Sequence, residues 1–182
     1  MKVVSTHTYA AAPDVVFAMM TTPDVLSAKY AALGHHDVVI LEHQVDDDGK
    51  VAVRSRRSVP MEVPGFAKRI LSPTNTVEQR DRWNPAGADG VRIGTWEVNA
   101  RGVPVTVGGT LRLAPGPRGT TVVEIAGEVK CSVPLLGGKL ASFVGDDVQR
   151  TLLAEEAFND GHLAATPKTT RSARGTRTPP KE

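Results

Sequence analysis

The stretch that decides the fold is the opening run, VVSTHTY at residues 3–9 and AAPDVVFAMMTTP at residues 11–23. Its first part mixes β-branched and polar residues, which favours a strand. Pro13 then suits the first turn of a helix, where its missing N–H group costs nothing, and Pro23 repeats this start signal. Gly34 marks the end of the second helix. The run therefore predicts one strand followed at once by two short helices.

After the second helix, the apolar pattern changes to the period of two that is typical of strands. The sequence DDDG at residues 46–49 is a hairpin signal between two such runs. Six strands are predicted after the helices, at residues 37–45, 50–59, 74–83, 90–100, 103–113 and 120–132. Hairpin-length links between them predict an antiparallel meander. Residues 66–71 are interpreted as a further short helix.

The last predicted element is a long helix over residues 136–163, which is about 40 Å long at the α-helical rise. Its apolar residues recur at helical spacing and form one broad stripe, made of Leu136, Leu140, Phe143, Val144, Val148, Leu152 and Phe158. Gly145 weakens the helix interior by about 1 kcal/mol relative to alanine. We therefore expect a bend or a close backbone approach at this glycine.

Composition divides the chain into one domain, residues 1–163, and a basic tail, residues 164–182. Of the 22 basic and 20 acidic residues, five basic ones and Glu182 fall in the tail, which leaves 17 basic and 19 acidic residues in the domain. A slightly acidic domain argues against nucleic-acid binding. The tail lacks large apolar residues and is predicted to be disordered. A weak contact with acidic partners or with a membrane surface is the alternative interpretation of the tail.

Cysteine content and hydropathy bear on the compartment. The single cysteine, Cys131, excludes an intrachain disulfide and fits a reducing environment. Polar residues at positions 5–8 interrupt the apolar core that a signal peptide requires. No apolar run approaches the roughly 20 residues of a membrane span. We therefore expect a soluble, cytoplasmic protein without a transmembrane segment.

The order of these elements resembles the helix-grip superfamily, often abbreviated SRPBCC. That group includes START lipid-transfer domains, the birch-pollen allergen and polyketide cyclases. The resemblance is carried by the element order over residues 2–163 and by Tyr9, Ala12, Pro13, Val16, Phe17 and Pro23 in the opening run. It implies an α+β fold in which a seven-stranded curved antiparallel sheet wraps around the long C-terminal helix. It also implies a cavity between the sheet and that helix.

Within this superfamily the chain resembles an uncharacterised family. The similar stretches are residues 31–34, 78–83, 94–98, 127–130 and 133–139. No activity can be carried over from that family, and none of the stretches is a catalytic signature.

Alternation along the strands sorts the residues that would line the implied cavity. The more apolar faces are interpreted as inward, together with the helix stripe. The candidate lining residues are Gln79, Trp83, Trp96, Val105, Val107, Leu111, Ile125, Val129, Leu140, Val144, Val148 and Leu152. Small valines fill a curved sheet poorly, which favours a cavity. An ordinary packed core without a cavity is the alternative.

Two polar residues are the only candidates for acid–base chemistry. If Trp83 faces inward, Asp81 does too, and a buried carboxylate there needs a hydrogen-bond donor or a shifted pKa. His43 shares a face with Val39, Leu41 and Val45 in the same alternation. The alternatives are that Asp81 lies at a solvated strand end and that His43 bonds to a backbone carbonyl.

Other chemistry has weaker support in the sequence. The spacing of His35, His36 and His43 matches no zinc pattern, so we expect neither a metal nor a cofactor. The adjacent acidic pair Glu155 and Glu156 points in two directions on a helix, which disfavours paired acid–base work. The basic segment at residues 54–57 is interpreted as a solvated strand edge, with an anion-contacting patch as the alternative.

Three hypotheses for function follow. The first is binding, sequestration or transport of a hydrophobic or amphipathic small molecule, lipid-like or polyketide-like, in the cavity. The second is an enzyme similar to polyketide cyclases or hydrolases, for which His43 and Asp81 are the catalytic candidates. The third is a regulatory domain that binds a partner protein without a small ligand.

Overall fold

The computed structural model describes residues 1–166, so that most of the predicted tail, residues 167–182, lies outside the described residues. The described part contains β1 (Lys2–Tyr9), α1 (Pro13–Thr21), α2 (Pro23–Ala32), β2 (His36–Val45), β3 (Val51–Pro60), β4 (Thr74–Trp83), β5 (Arg92–Ala100), β6 (Val105–Pro115), β7 (Thr121–Cys131) and α3 (Gly137–Ala165). Single 3-10 turns occupy Gly65–Ala67 and Pro117–Gly119. This order confirms the predicted succession of elements.

The seven strands form one antiparallel sheet in the order β1-β7-β6-β5-β4-β3-β2. Consecutive strands from β2 to β7 pair as neighbours, and β1 closes the series by pairing with β7. The sheet therefore confirms the predicted meander, with β1 and β2 as its two edges. This is the predicted α+β architecture, with two short helices after the first strand, one antiparallel sheet and a long C-terminal helix.

The two short helices begin where the sequence predicts. Pro13 and Pro23 each occupy the first helical turn, and the preceding residues Ala12 and Thr22 have extended backbone conformations. The predicted short helix at residues 66–71 is reduced to one 3-10 turn. There, the backbone N–H groups of residues 70 and 71 both donate to the carbonyl oxygen of Ala67, which closes a turn instead of propagating a helix.

The long helix α3 packs across the sheet, where it contacts β7 and β1. Leu140, Ala141 and Leu152 on its inner side are buried. Gly145 lies against the side chain of Met1, and a Cβ atom at this glycine would collide with the Met1 sulfur. The close approach expected at Gly145 is therefore made by the start of the chain.

The edge strand β2 departs from regular alternation. Its pairing with β3 shifts register between His36 and Val39 and again between Ile40 and Glu42. Each such irregularity inserts one extra residue into the strand. The side chains after it therefore point to the opposite face of the sheet from the one that regular alternation predicts. The prediction that Val39, Leu41, His43 and Val45 share one face was therefore wrong, because the second shift separates Leu41 from His43.

No helix within residues 1–166 has the length and apolar character needed to cross a lipid bilayer.

Candidate functional site

A cavity of about 170 Å³ lies between the concave face of the sheet and α3. This volume exceeds by roughly tenfold what one water molecule needs on the same measure. Its walls are mainly apolar, with Val59, Val77, Val98, Val105, Val107 and Leu111 on the strands and Val144, Val148 and Leu152 on α3. Apolar walls with a few polar groups are what small-molecule sites have in common.

The residues predicted to line a cavity fall into two groups. Ten of them do line it, namely Gln79, Trp83, Trp96, Val105, Val107, Leu111, Ile125, Val144, Val148 and Leu152. Val129 and Leu140 are buried in the adjacent core and do not line the cavity. The alternation of strand residues therefore brings most of the candidates to one place.

Glycines opposite the two tryptophans give the concave face its shape. Trp96 lies against Gly127, where an added Cβ would come within 2.6 Å of the indole ring. Its Nε1 donates to the carbonyl oxygen of Ala126 at 3.3 Å. Trp83 lies against Gly94 in the same way, with ring atoms 2.9 Å from an added Cβ. Because both indoles lie close against the backbone, they leave room above them for a ligand.

Arg57 defines the polar end of the cavity. Its side chain projects from the concave face of β3 and the residue is only 5% exposed. Its guanidinium donates to His35 Nδ1 at 3.2 Å, to Ser55 Oγ at 3.3 Å and to Gln79 Oε1 at 2.8 Å. The ring centroid of Tyr30 lies 3.9 Å from its Cζ atom, which adds a cation–π contact. All of these partners are uncharged groups.

His35 is neutral in this arrangement. Burial lowers the pKa of His35 to about 4, and the positive charge of Arg57 adds to this effect. Since a guanidinium can only donate, Nδ1 of the ring must accept. The ring of His35 also stacks on Tyr30 at a centroid distance of 5.9 Å. This histidine therefore holds Arg57 in position and carries no charge near neutral pH.

An ion pair from two helices lies beside Arg57. Lys29 Nζ of α2 and Glu155 Oε2 of α3 are 2.7 Å apart, and both side chains are largely buried. Burial disfavours the charge on Lys29, but Glu155 outweighs it and raises the pKa of Lys29. Burial likewise disfavours the charge on Glu155, yet Lys29 lowers the pKa of Glu155 below its usual range. The two groups therefore stay charged and neutralise one another.

Asp81 is the second carboxyl group at this end. Its side chain lines the cavity from β4, and both of its oxygens accept hydrogen bonds from Gln79 Nε2 at 3.1 Å. Burial raises the pKa of Asp81 to about 6, against the opposing effects of Gln79, Lys29 and Arg57. Gln79 thus supplies the hydrogen-bond donor that a buried carboxylate at this position needs. With a pKa of about 6, Asp81 changes its protonation state near neutral pH.

The two sequence candidates for acid–base chemistry are not brought together. His43 is exposed on the edge strand and does not line the cavity. Val53 lies between His43 and Asp81 in the cross-strand register. Two strand spacings, about 10 Å, therefore separate their backbones, and the hydrogen bonds of the Asp81 carboxyl group come from Gln79.

Sequence reasoning missed most of the polar end. Lys29, His35, Arg57 and Glu155 were not among the candidate site residues, although all four line the cavity. The signal available was alternation in β3, where Val51, Val53, Ser55 and Arg57 share the buried face. The interpretation of residues 54–57 as a solvated strand edge was wrong, because β3 is an interior strand paired with β2 and β4. Arg54 and Arg56 lie on its convex side, whereas Arg57 is buried on the concave side.

The described residues hold no cluster of three histidine, cysteine, aspartate or glutamate side chains with the geometry of a metal site.

Solved structures share this architecture at low sequence identity. The protein TTHA0849 from Thermus thermophilus is 13% identical, with a TM-score of 0.60 over 91% of this chain and 100% of that chain. The lipid transfer and protein localization domain of human StarD13 is 11% identical, with a TM-score of 0.56 over 87% and 74%. A START superfamily protein from Mycobacterium smegmatis is 13% identical, with a TM-score of 0.55 over 88% and 98%.

The sequence comparisons give a family without a known activity. No curated protein sequence matches the chain. The profile described as "protein of unknown function (DUF2505)" matches residues 5–163, which is nearly the whole described part. This agrees with the helix-grip fold of the solved structures. The chain therefore belongs to the DUF2505 family, an uncharacterised family with the START-like helix-grip fold.

Proposed function

We propose that the protein binds a hydrophobic or amphipathic small molecule, lipid-like or polyketide-like, in the cavity between the sheet and α3, and sequesters or transports it. The observation that carries the proposal is the cavity itself, apolar along most of its wall and polar at one end. The lipid transfer domain of human StarD13 is a parallel on the same fold. Fold likeness is an analogy, and the residues of this chain carry the chemistry.

Burial of apolar ligand surface supplies the binding energy. Each 200 Å² of ligand surface removed from water contributes about 5 kcal/mol before the costs of association. The valines of β6 and α3, such as Val107 and Val148, offer apolar contacts and no hydrogen bonds of their own. Polar contacts at Arg57 and Asp81 would then set the orientation of the ligand.

One observation supports an enzyme as a second candidate. Asp81 lines the cavity, and burial raises its pKa to about 6, which suits a group that takes up and releases a proton near neutral pH. His43 does not line the cavity, so Asp81 would act without the partner that the sequence suggested. Turnover of a bound polyketide-like compound that is lost in Asp81→Asn while its binding persists would favour this candidate.

The direct test of binding is nondenaturing mass spectrometry of the protein purified from its native host. We expect a co-purifying small molecule, seen as a mass above that of the chain and released on unfolding. A chain mass without any adduct, together with no uptake of the uncharged dye Nile red, would contradict the proposal. That result would favour the partner-binding hypothesis instead.

A matched pair of variants ties Nile red binding to this cavity. Val107→Phe adds a ring on the cavity side of β6, whereas Thr106→Phe adds the same ring to its neighbour on the convex side. We expect Val107→Phe to weaken Nile red binding by tenfold or more, about 1.4 kcal/mol, and Thr106→Phe to leave it unchanged. Equal effects of the two variants would place the dye outside the cavity.

Three further proposals concern the whole chain. Residues 1–163 form the ligand-binding domain, and the family match over residues 5–163 supports this boundary. The single cysteine supports a reducing compartment such as the cytoplasm. The basic residues of the tail are the proposed point of weak contact with acidic partners or a membrane surface.

A further inference from the structure

Arg57 remains without a counterion at hydrogen-bond distance. Lys29 pairs with Glu155, whereas Arg57 donates only to uncharged acceptors. Within residues 1–166, no carboxylate oxygen lies within 4.0 Å of its nitrogens. Since its hydrogen bonds use one N–H of Nε, one of Nη1 and one of Nη2, each terminal nitrogen keeps a second N–H group.

The guanidinium is held in a fixed position before any ligand binds. Three hydrogen bonds and the ring of Tyr30, 3.9 Å from Cζ, determine its place and orientation. A cation that is buried without a counterion has lost its hydration, which destabilises the protein. Pairing with an anion offsets this loss. Because the Arg57 side chain is already ordered, it loses little conformational entropy when a ligand binds. The guanidinium therefore favours a ligand with an anionic head group.

Neighbouring carboxyl groups limit the charge of that head. Asp81 is linked to Arg57 through Gln79, which donates to it at 3.1 Å and accepts from Arg57 at 2.8 Å. Glu155 lies at the same end, but its charge is offset by Lys29 at 2.7 Å, so that Arg57 and Asp81 set the charge balance there. The Asp81 carboxylate repels a dianion such as a phosphate monoester more strongly than a monoanion, which still pairs with Arg57.

We infer that the cavity takes an amphiphile with a single carboxylate head, which pairs with the guanidinium of Arg57 while its hydrocarbon part lies along the valine-rich wall. The planar carboxylate matches the two remaining N–H groups of a guanidinium fork. This inference rests on the proposed function and specifies the chemical class of the ligand.

Three probes with the same hydrocarbon chain test the inference on the full chain. Dodecanoate, dodecanol and dodecyl phosphate each compete with bound Nile red at neutral pH, so that only the head group differs. We expect dodecanoate to displace the dye at a concentration at least tenfold lower than dodecanol, and also lower than dodecyl phosphate. Since a carboxylate loses more hydration than a hydroxyl group on entering the cavity, this preference requires a partner cation.

Arg57→Gln removes the charge and keeps hydrogen-bonding atoms, and it should abolish the preference for dodecanoate over dodecanol. Arg54→Gln makes the same change on the convex side of the same strand and should leave the preference intact. If Arg57→Gln fails to fold, the comparison of probes on the unaltered protein still decides, and Arg57→Lys provides a variant that retains the charge. In Arg57→Lys we expect the preference to be reduced several-fold, because the paired geometry is lost.

The outcomes separate the inference from the proposed function. Equal displacement by dodecanoate and dodecanol, or a preference that survives in Arg57→Gln, would overturn the inference and leave a ligand-binding cavity. Tighter binding of dodecyl phosphate would overturn the single-charge requirement. If Nile red itself does not bind, the proposed function fails first and the inference falls with it.

Discussion

Arg54 and Arg57 lie three positions apart on β3 and have opposite surroundings. Arg54 lies on the convex side of the sheet, where its exposed side chain pairs with Glu78 at 2.8 Å. Arg57 lies on the concave side, nearly excluded from water and without a carboxylate partner at that range. Because strand side chains alternate, an odd separation places the two on opposite faces. The same residue type is thus a surface charge at one position and a site group at the other.

The two faces of the sheet also differ in what their charges contribute to stability. Exposed ion pairs, such as Arg112 with Glu124 on the convex side, contribute between zero and about 1 kcal/mol each. The buried pair of Lys29 and Glu155 behaves differently, since removal of one partner leaves an uncompensated charge in the core. Charge removal from each face therefore tests the comparison directly.

The largest effect is expected from the buried ion pair. Lys29→Met should lower the free energy of unfolding by about 3–5 kcal/mol, because Glu155 is left buried without a counterion. Arg112→Met, the matched change on the convex side, should cost less than about 1 kcal/mol. Urea unfolding followed by circular dichroism measures both. Similar losses for the two variants would show that burial does not distinguish the two faces.

Asp81 is expected to make stability fall as pH rises. Its pKa is raised from 3.8 to about 6 in the folded protein, so its stabilising contribution is complete below about pH 4 and is lost as pH rises through about 6. The full change is about 3 kcal/mol by linkage. The groups facing it are Lys29 of α2, Arg57 of β3 and Glu155 of α3.

Asp81→Asn removes the titrating group and tests whether the free energy of unfolding falls as pH rises. We expect the variant to gain stability relative to the unaltered protein between about pH 4 and pH 8, by roughly 2–3 kcal/mol. Asp47→Asn, in the exposed turn between β2 and β3, is the control and should show no such gain. A constant difference between Asp81→Asn and the unaltered protein across this range would exclude a raised pKa at Asp81.

Substitution of Gly127 tests the packing of Trp96 against the concave face of the sheet, and we expect a smaller effect than for the buried ion pair. In Gly127→Ala the new methyl group meets the indole of Trp96 at 2.6 Å and the backbone carbonyl oxygen of Gly108 at 2.9 Å, so that the ring and the neighbouring strand must both shift. We expect a loss of about 1–3 kcal/mol and a change in tryptophan fluorescence, because overpacking forces side chains from their preferred positions.

Gly161 is the matched glycine in an exposed position. No atom lies within 4 Å of an added Cβ there, and Gly161→Ala should stabilise α3 by about 0.5–1 kcal/mol. Thermal unfolding of both variants gives the comparison. A stabilising Gly127→Ala would mean that Trp96 is not held against the sheet.

The smallest effect is expected at Arg54. Arg54→Gln should change the free energy of unfolding by less than about 1 kcal/mol, because its pairing with Glu78 is exposed. Urea unfolding at low and at high salt measures the electrostatic part of this free-energy change, because added salt screens exposed charges. A loss as large as that of Lys29→Met would remove the distinction between exposed and buried charges.

Most of the fold was predictable because its signals are local. Pro13 and Pro23 start helices within one turn, and Asp-Gly at positions 48 and 49 forms the predicted hairpin turn, with Gly49 at a φ of 81°. The register shifts in β2 were not predictable from alternation, since they depend on how β3 pairs with it. The apolar wall of the cavity was predictable from the alternation of apolar and polar residues along the strands, because each strand has one apolar face.

The polar end was not predictable for a physical reason. Lys29 and Glu155 are 126 positions apart, and each is an ordinary charged helix residue in the sequence. Arg57 belongs to a basic segment whose other arginines, Arg54 and Arg56, do lie on the exposed side. Only the packing of α2, α3 and β3 against one another brings these charges together. Burial of charge is a tertiary property that single-strand patterns do not encode.

The two tryptophans of the chain, Trp83 and Trp96, both line the cavity and provide the most direct measurement. A brominated alkyl chain quenches indole fluorescence only on contact, so titration with a terminally brominated dodecanol reports occupancy of this cavity. We expect saturable quenching that unbrominated dodecanol competes away and that Val107→Phe weakens. Absent quenching, or quenching that rises linearly without saturation, would contradict the claim that the cavity holds an apolar molecule.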